Sequence, residues 1–273
     1  MIIMVNRILV YIALIVFSIP GAGAGQQKEG NIFRIIGSDI IESVNDGAKV
    51  FTSPLHWKGR DGLTFGALFL TTAAVYLKDE SIRANSFKQR SEMNDGISDA
   101  SKLYGEIAAP VIIGGGIYTA GLFSKNEYIR VTGRMVFESV LYSGIVTNVF
   151  KTVIGRSRPQ KEEGSQFYRL LSFNTGNTSM PSGHSTVAFA VSSVLANRIN
   201  NTFASIGLYT LAGITALSRV YHDEHWASDV LLGSAIGYFI GDFISSKRNS
   251  TTGSRGNITI YPGPGSLNLH VSF

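Results

Sequence analysis

The chain has 273 residues and a net charge of +5; 44% of it is hydrophobic and only 16% charged. That charged share lies well below the roughly 25% usual for soluble domains, and with no cysteine in the chain a disulfide framework and a thiolate metal site are excluded. The positive balance suits anionic substrates or anionic membrane surfaces, and no dense basic stripe with interleaved aromatics argues for a nucleic-acid partner.

Residues 1–24 read as an export signal, with Arg7 ahead of an apolar run at 8–19, a break at Pro20 and small residues Ala22-Gly23-Ala24 for cleavage. An uncleaved anchor is the alternative, because the run is near the lower limit for spanning. Export would place the working face outside the cytoplasm, and the expected location is a bacterial cell envelope with that face toward the periplasm.

Residues 25–100 are expected to hold amphipathic and apolar helices. Ile32, Phe33, Ile36, Ile40 and Val44 recur at helical spacing, so 31–50 forms a helix whose stripe packs on the core, the commoner outcome, or lies on a membrane. An irregular connector at 51–61 precedes an uncharged apolar segment at 62–77 and a polar stretch at 78–102.

Residues 101–248 form the expected functional core: an uncharged segment at 107–124, a helix at 137–150 running into Lys151, a Gly/Asn/Ser-rich loop at 158–180, and helices near 185–196, 203–217 and 230–243. Gly207, Gly213, Gly233, Gly237 and Gly241 are expected to allow close helix contact, the last three at small-xxx-small spacing. Only 107–124 and 199–218 are uncharged over the ~18 residues a span requires. The expectation is an all-α helical bundle, embedded in or bound to a membrane. Residues 249–273 read as a polar linker and a small C-terminal β-hairpin, its second arm alternating with period two.

Three polar blocks interrupt the apolar core. The first holds Lys151 and Arg158-Pro159, the second Pro181-Ser182-Gly183-His184, the third Ser218-Arg219, His225 and Asp229. Charges on apolar helices are costly unless paired or given a ligand, and one tetrahedral oxyanion satisfies three cations together. Lys151, Arg158 and Arg219 would grip its oxygens, the arginines through planar forks. Ser182 and Gly183 stand where a helix begins, offering a hydroxyl and backbone N–H groups. His225 and Asp229 are four apart and share a helix face, so the carboxylate can orient the imidazole for attack on phosphorus. His184 would protonate the leaving oxygen. No metal is called for, since the cations are built in.

Singly, each block has a bland reading: a solvated basic helix end, a surface i,i+4 pair, a helix cap. His222 reads as a rim residue, His56 and His270 as structural, and Trp226 as packing or interfacial.

Together, KTVIGRSRP, PSGH and SRVYHDEHWASD resemble the signature of the type-2 phosphatidic acid phosphatase and vanadium haloperoxidase superfamily, complete and in order. The resemblance implies that family's helical bundle, with His225 as nucleophile, His184 as general acid, Asp229 as its partner, and Lys151, Arg158, Ser182, Gly183 and Arg219 as phosphate ligands. It further implies hydrolysis of a lipid phosphate, phosphatidate-like or isoprenyl diphosphate, through a phosphohistidine. The alternatives are a broad-specificity soluble periplasmic acid phosphatase, a haloperoxidase holding vanadate as its only cofactor, and a non-enzymatic phospholipid-binding envelope protein.

Overall fold

The computed structural model describes residues 31–249, 258–263 and 266–271, so the expected export signal and the linker lie outside the described residues. Within them the fold is built from α1 (Ile32–Thr52), α2 (Gly59–Tyr76), α3 (Asp79–Lys88), α4 (Glu92–Lys102), α5 (Ala108–Phe123), α6 (Glu127–Ile154), α7 (Gly183–Ile199), α8 (Thr202–Tyr221) and α9 (Ala227–Asn249).

Local chemistry sets many of these boundaries. Asn31, Ser91, Asn126 and Asn201 cap α1, α4, α6 and α8 by accepting from backbone N–H groups of the first turn. Gly155 ends α6 at φ +61, where a Cβ would lie 1.7 Å from the Arg169 carbonyl oxygen; only glycine fits this turn.

Helix α7 is the centre, contacted by α6, α8 and α9. Ala188, Ala190, Val191, Val194 and Leu195 are wholly buried, and so are the small polar residues Ser185, Thr186, Ser192 and Ser193, as befits a helix enclosed by its neighbours. The Gly233-Gly237-Gly241 stripe of α9 lies directly on it: a Cβ at Gly233 or Gly237 would come within 2.3 Å of the Ser182 carbonyl oxygen or 2.2 Å of the Thr186 one. Gly207 and Gly213 behave otherwise. Nothing lies within 4 Å of a Cβ built at either, so the expected close contact through them is not made.

Helix α1 forms where its periodicity requires, but it packs by its polar face. Asp39 is buried and paired with Arg130 and Arg134, and accepts from Tyr118 Oη at 2.8 Å. Arg134 also reaches Glu42 at 2.6 Å and Glu138 at 3.0 Å. The apolar residues Phe33, Ile40, Ile41 and Val44 face outward. Core packing of this stripe is therefore corrected: buried ion pairs hold α1 to α6, and the exposed apolar face suits apolar surroundings.

Among the described residues, two helices are long and apolar enough to cross a membrane, Thr202–Tyr221 and Ala227–Ser246; Glu92–Gly105 and Ala108–Phe123 qualify only as a pair bent by 54°. The segment at 107–124 thus falls short alone, because its helix has 16 residues, whereas α9 is longer than the uncharged run between Asp229 and Asp242. In the tail, Ile258–Gly263 and Ser266–Val271 run antiparallel, with Ile258 opposite Val271. This local backbone pairing contributes no residue to the site, and the fold class rests on the helices alone.

Candidate active site

The three blocks converge where the C-terminal ends of α6 and α8 meet the N-terminal ends of α7 and α9. Lys151 lies in the last turn of α6, and its Nζ donates to the Thr178 carbonyl at 2.5 Å. Arg158 opens a short 3-10 turn, Pro159–Lys161, and donates from Nε to the Thr175 carbonyl at 3.1 Å. Ser182 is the N-cap of α7, and Gly183 and His184 are its first residues. Arg219 lies in the last turn of α8 and is 2% exposed. His225 stands in the turn between α8 and α9, and Asp229 in the first turn of α9.

The turn is where the sequence expectation needs correction. His225 and Asp229 do not share a helix face, because α9 begins only at Ala227. Trp226 precedes that helix, and its backbone N–H donates to Asp229 Oδ2 at 3.0 Å, a reach-back cap that ends the turn there. His225 Nδ1 is 3.8 Å from the same oxygen. Ser182 is also not wholly free: its backbone N–H donates to the Asp229 carbonyl at 2.9 Å. A Cβ on Gly183 would make only an ordinary contact, with Lys151 Cε at 3.8 Å, which places the start of α7 beside that cation.

Several residues that sequence reasoning missed hold these groups. Arg156 has no exposure and donates to Asp229 Oδ1 at 2.7 Å, to Asp79 Oδ2 at 2.7 Å and to Ser228 Oγ at 2.7 Å. Ser179 Oγ donates to Asp229 Oδ2 at 2.5 Å and lies 3.5 Å from His225 Nδ1. Gly105 makes room for α7, since a Cβ there would lie 2.7 Å from the His184 carbonyl oxygen. Trp226 is 1% exposed and donates from its indole to the Ser157 carbonyl at 2.9 Å, which makes it a packing residue. His222 sits at the rim, 3.5 Å from Asp99. Arg156 lies inside the first block, and its position beside Arg158 was the one available signal.

The electrostatics follow from burial among cations. Burial lowers the His225 pKa to about 4, with Lys151 and Arg158 acting in the same direction and Asp229 opposing. Burial, then Arg219 and His225, lower that of His184 to about 4. Burial and then Arg158 bring Lys151 down to about 8. Both imidazoles are thus neutral near pH 7, and His225 keeps a lone pair for attack. Arg219 Nε and Nη1 have no hydrogen-bond partner, although both are buried. Such donors are costly in isolation, and an oxyanion would satisfy them.

Residues 133–250 match the PAP2 superfamily. The chain is 27% identical over 209 residues to a lipid A 1-phosphatase of Porphyromonas gingivalis, a match covering 73% of this chain and 42% of that protein. It is 28% identical over 204 residues to a lipid A 1-phosphatase of Rhizobium etli, covering 67% of this chain and 82% of that one. The chain therefore spans less than half the length of the first relative and about four-fifths of the second. The crystal structure of a transmembrane PAP2-type phosphatidylglycerolphosphate phosphatase from Bacillus subtilis superposes with a TM-score of 0.51 at 21% identity, covering 68% of this chain and 95% of that one. That likeness is one of fold.

Proposed function

We propose, on the premise that this chain belongs to the PAP2 superfamily, that it is a membrane-associated phosphatase hydrolysing a terminal phosphate on a lipid. The observation that carries this reading is His225: a buried, neutral imidazole backed by Asp229 and facing a group of cations built to receive phosphate. The relatives that are lipid A phosphatases and the two helices of spanning length support a lipid rather than a small soluble ester.

The chemistry runs in two steps. His225 Nε2 attacks phosphorus, with Nδ1 held toward Asp229. Lys151, Arg158 and Arg219 gather the charge that spreads over the non-bridging oxygens. The negative charge of the bound phosphate raises the His184 pKa so that the ring is protonated; this imidazolium delivers its proton to the leaving oxygen, leaving a phosphohistidine on His225. Water then attacks that phosphorus, His184 takes the proton, and phosphate and free His225 are released. The cations supply the positive charge, so the reading requires no metal. An exported chain with this site facing the periplasm would meet its lipid at the headgroup level.

The test is phosphate release from lipid A, phosphatidate, an isoprenyl diphosphate and a small soluble phosphomonoester, with His225→Ala as control. Release from one of the lipids that disappears in the variant supports the reading. Preference for the small ester points to a broad acid phosphatase. No release, together with halide oxidation on added vanadate, would replace the reading by a haloperoxidase.

A further inference from the structure

One anion already stands among the cations. Glu224 immediately precedes His225, and its backbone N–H donates to the Arg219 carbonyl at 3.0 Å, which turns its side chain back over that arginine. Its Oε2 pairs with Arg219 Nη2 and lies 3.6 Å from Arg158 Nη1. Two of the three phosphate-binding cations are therefore engaged by one carboxylate. The partners differ in freedom. Arg219 is 2% exposed and Arg158 is tied to the Thr175 carbonyl, whereas the Glu224 side chain is 32% exposed and can turn to water without breaking the fold.

We propose that Glu224 is a displaceable internal anion that occupies Arg158 and Arg219 until a terminal phosphate replaces it, and so excludes phosphodiesters. The proposal rests on the reading of this pocket as a phosphatase site. A terminal phosphate brings up to two charges and three non-bridging oxygens, enough to displace the carboxylate and also to engage the unpartnered Nε and Nη1 of Arg219. A phosphodiester brings one charge and two such oxygens, which a resident carboxylate matches. In a bilayer made mostly of phosphodiester lipids, the rare terminal phosphate would then be the group that opens the site. Apparent affinity falls by the fraction of molecules whose site is free, so removing the competitor tightens binding without touching the reacting atoms.

Glu224→Gln, which keeps the shape and removes the charge, is the test. Three constants are read in detergent micelles: kcat and KM on a lipid phosphomonoester, inhibition by orthovanadate, and inhibition by phosphatidylglycerol, a phosphodiester. The expected result is that KM and the vanadate inhibition constant fall about tenfold, kcat stays within about threefold, and phosphatidylglycerol becomes an inhibitor. Unchanged constants would overturn the proposal. So would a kcat loss beyond about tenfold at constant KM, which would put Glu224 in the chemical step. If the wild type neither turns over nor binds vanadate, the phosphatase reading falls and takes this one with it; a competent wild type with an indistinguishable variant sinks this proposal alone.

Discussion

Arg156 and Asp229 form an ion pair with no solvent exposure on either side chain, Nη1 to Oδ1 at 2.7 Å, directly behind the histidine we assign as nucleophile. The other fork of the same guanidinium holds Asp79 at 2.7 Å. Asp79 in turn accepts from Ser228 Oγ at 2.6 Å and from its backbone N–H at 3.0 Å. One arginine thus ties the start of α3 to the start of α9 and leaves Asp229 a single orientation.

Replacing Arg156 by Met leaves two buried carboxylates without their counter-charge. Breaking one side of a buried pair costs roughly 3–5 kcal/mol, so Arg156→Met is expected to lower the unfolding temperature sharply and to abolish phosphate release. Arg156→Lys keeps the charge but not the fork, and should fall between. Thermal unfolding of both in detergent checks this; an unchanged midpoint for the Met variant would contradict it.

The histidine and its carboxylate separate by kinetics. His225→Ala should remove turnover while leaving helicity and lipid binding in place. Asp229→Asn should cost on the order of 10²–10⁴ in kcat with KM within a few-fold, because it disturbs orientation of the nucleophilic imidazole rather than substrate contact. Steady-state kinetics on the best lipid of the panel decide this, and a loss confined to KM would contradict the role.

His184 gives a pH signature. As the acid it must be protonated, so activity is present below its pKa and lost as pH rises through it. That pKa is about 4, lowered by burial and by Arg219 and His225. A bound phosphate brings negative charge beside the ring and raises it. The alkaline limb of kcat should therefore lie at higher pH than that of kcat/KM, which reports the free enzyme. Coincident limbs would argue against His184 as the acid.

The glycines make a paired prediction. Gly233→Ala drives a Cβ to 2.3 Å from the Ser182 carbonyl oxygen and should destabilise by about 1–3 kcal/mol, with loss of activity because Ser182 caps the site helix. Gly207→Ala meets nothing within 4 Å and should be neutral or stabilising by up to about 1 kcal/mol through helix propensity. Unfolding midpoints of the two variants test the contrast.

The helices were largely legible because periodicity and caps are local properties. The three polar blocks that the fold brings together were legible because they are written in residue types at short spacing. Arg156, Ser179, Gly105 and Glu224 were not, for a common reason. Their roles depend on partners brought in by other segments or by a turn: Asp79 lies 77 positions from Arg156, and Gly105 matters only because α7 passes over it. The spacing of His225 and Asp229 suggested one helix face, but the cap formed by Trp226 N–H and Asp229 places His225 outside the helix.

By itself, then, the sequence determined which segments are helical, that the chain is suited to apolar surroundings, and which three polar blocks interrupt the apolar core. Tertiary structure decided which way α1 faces, which glycines bear helix contacts, and that burial lowers the pKa of both histidines. The physical reason is that periodicity identifies a stripe without naming what covers it. Burial, which sets both the packing and the charge state, exists only once distant helices have closed around the site.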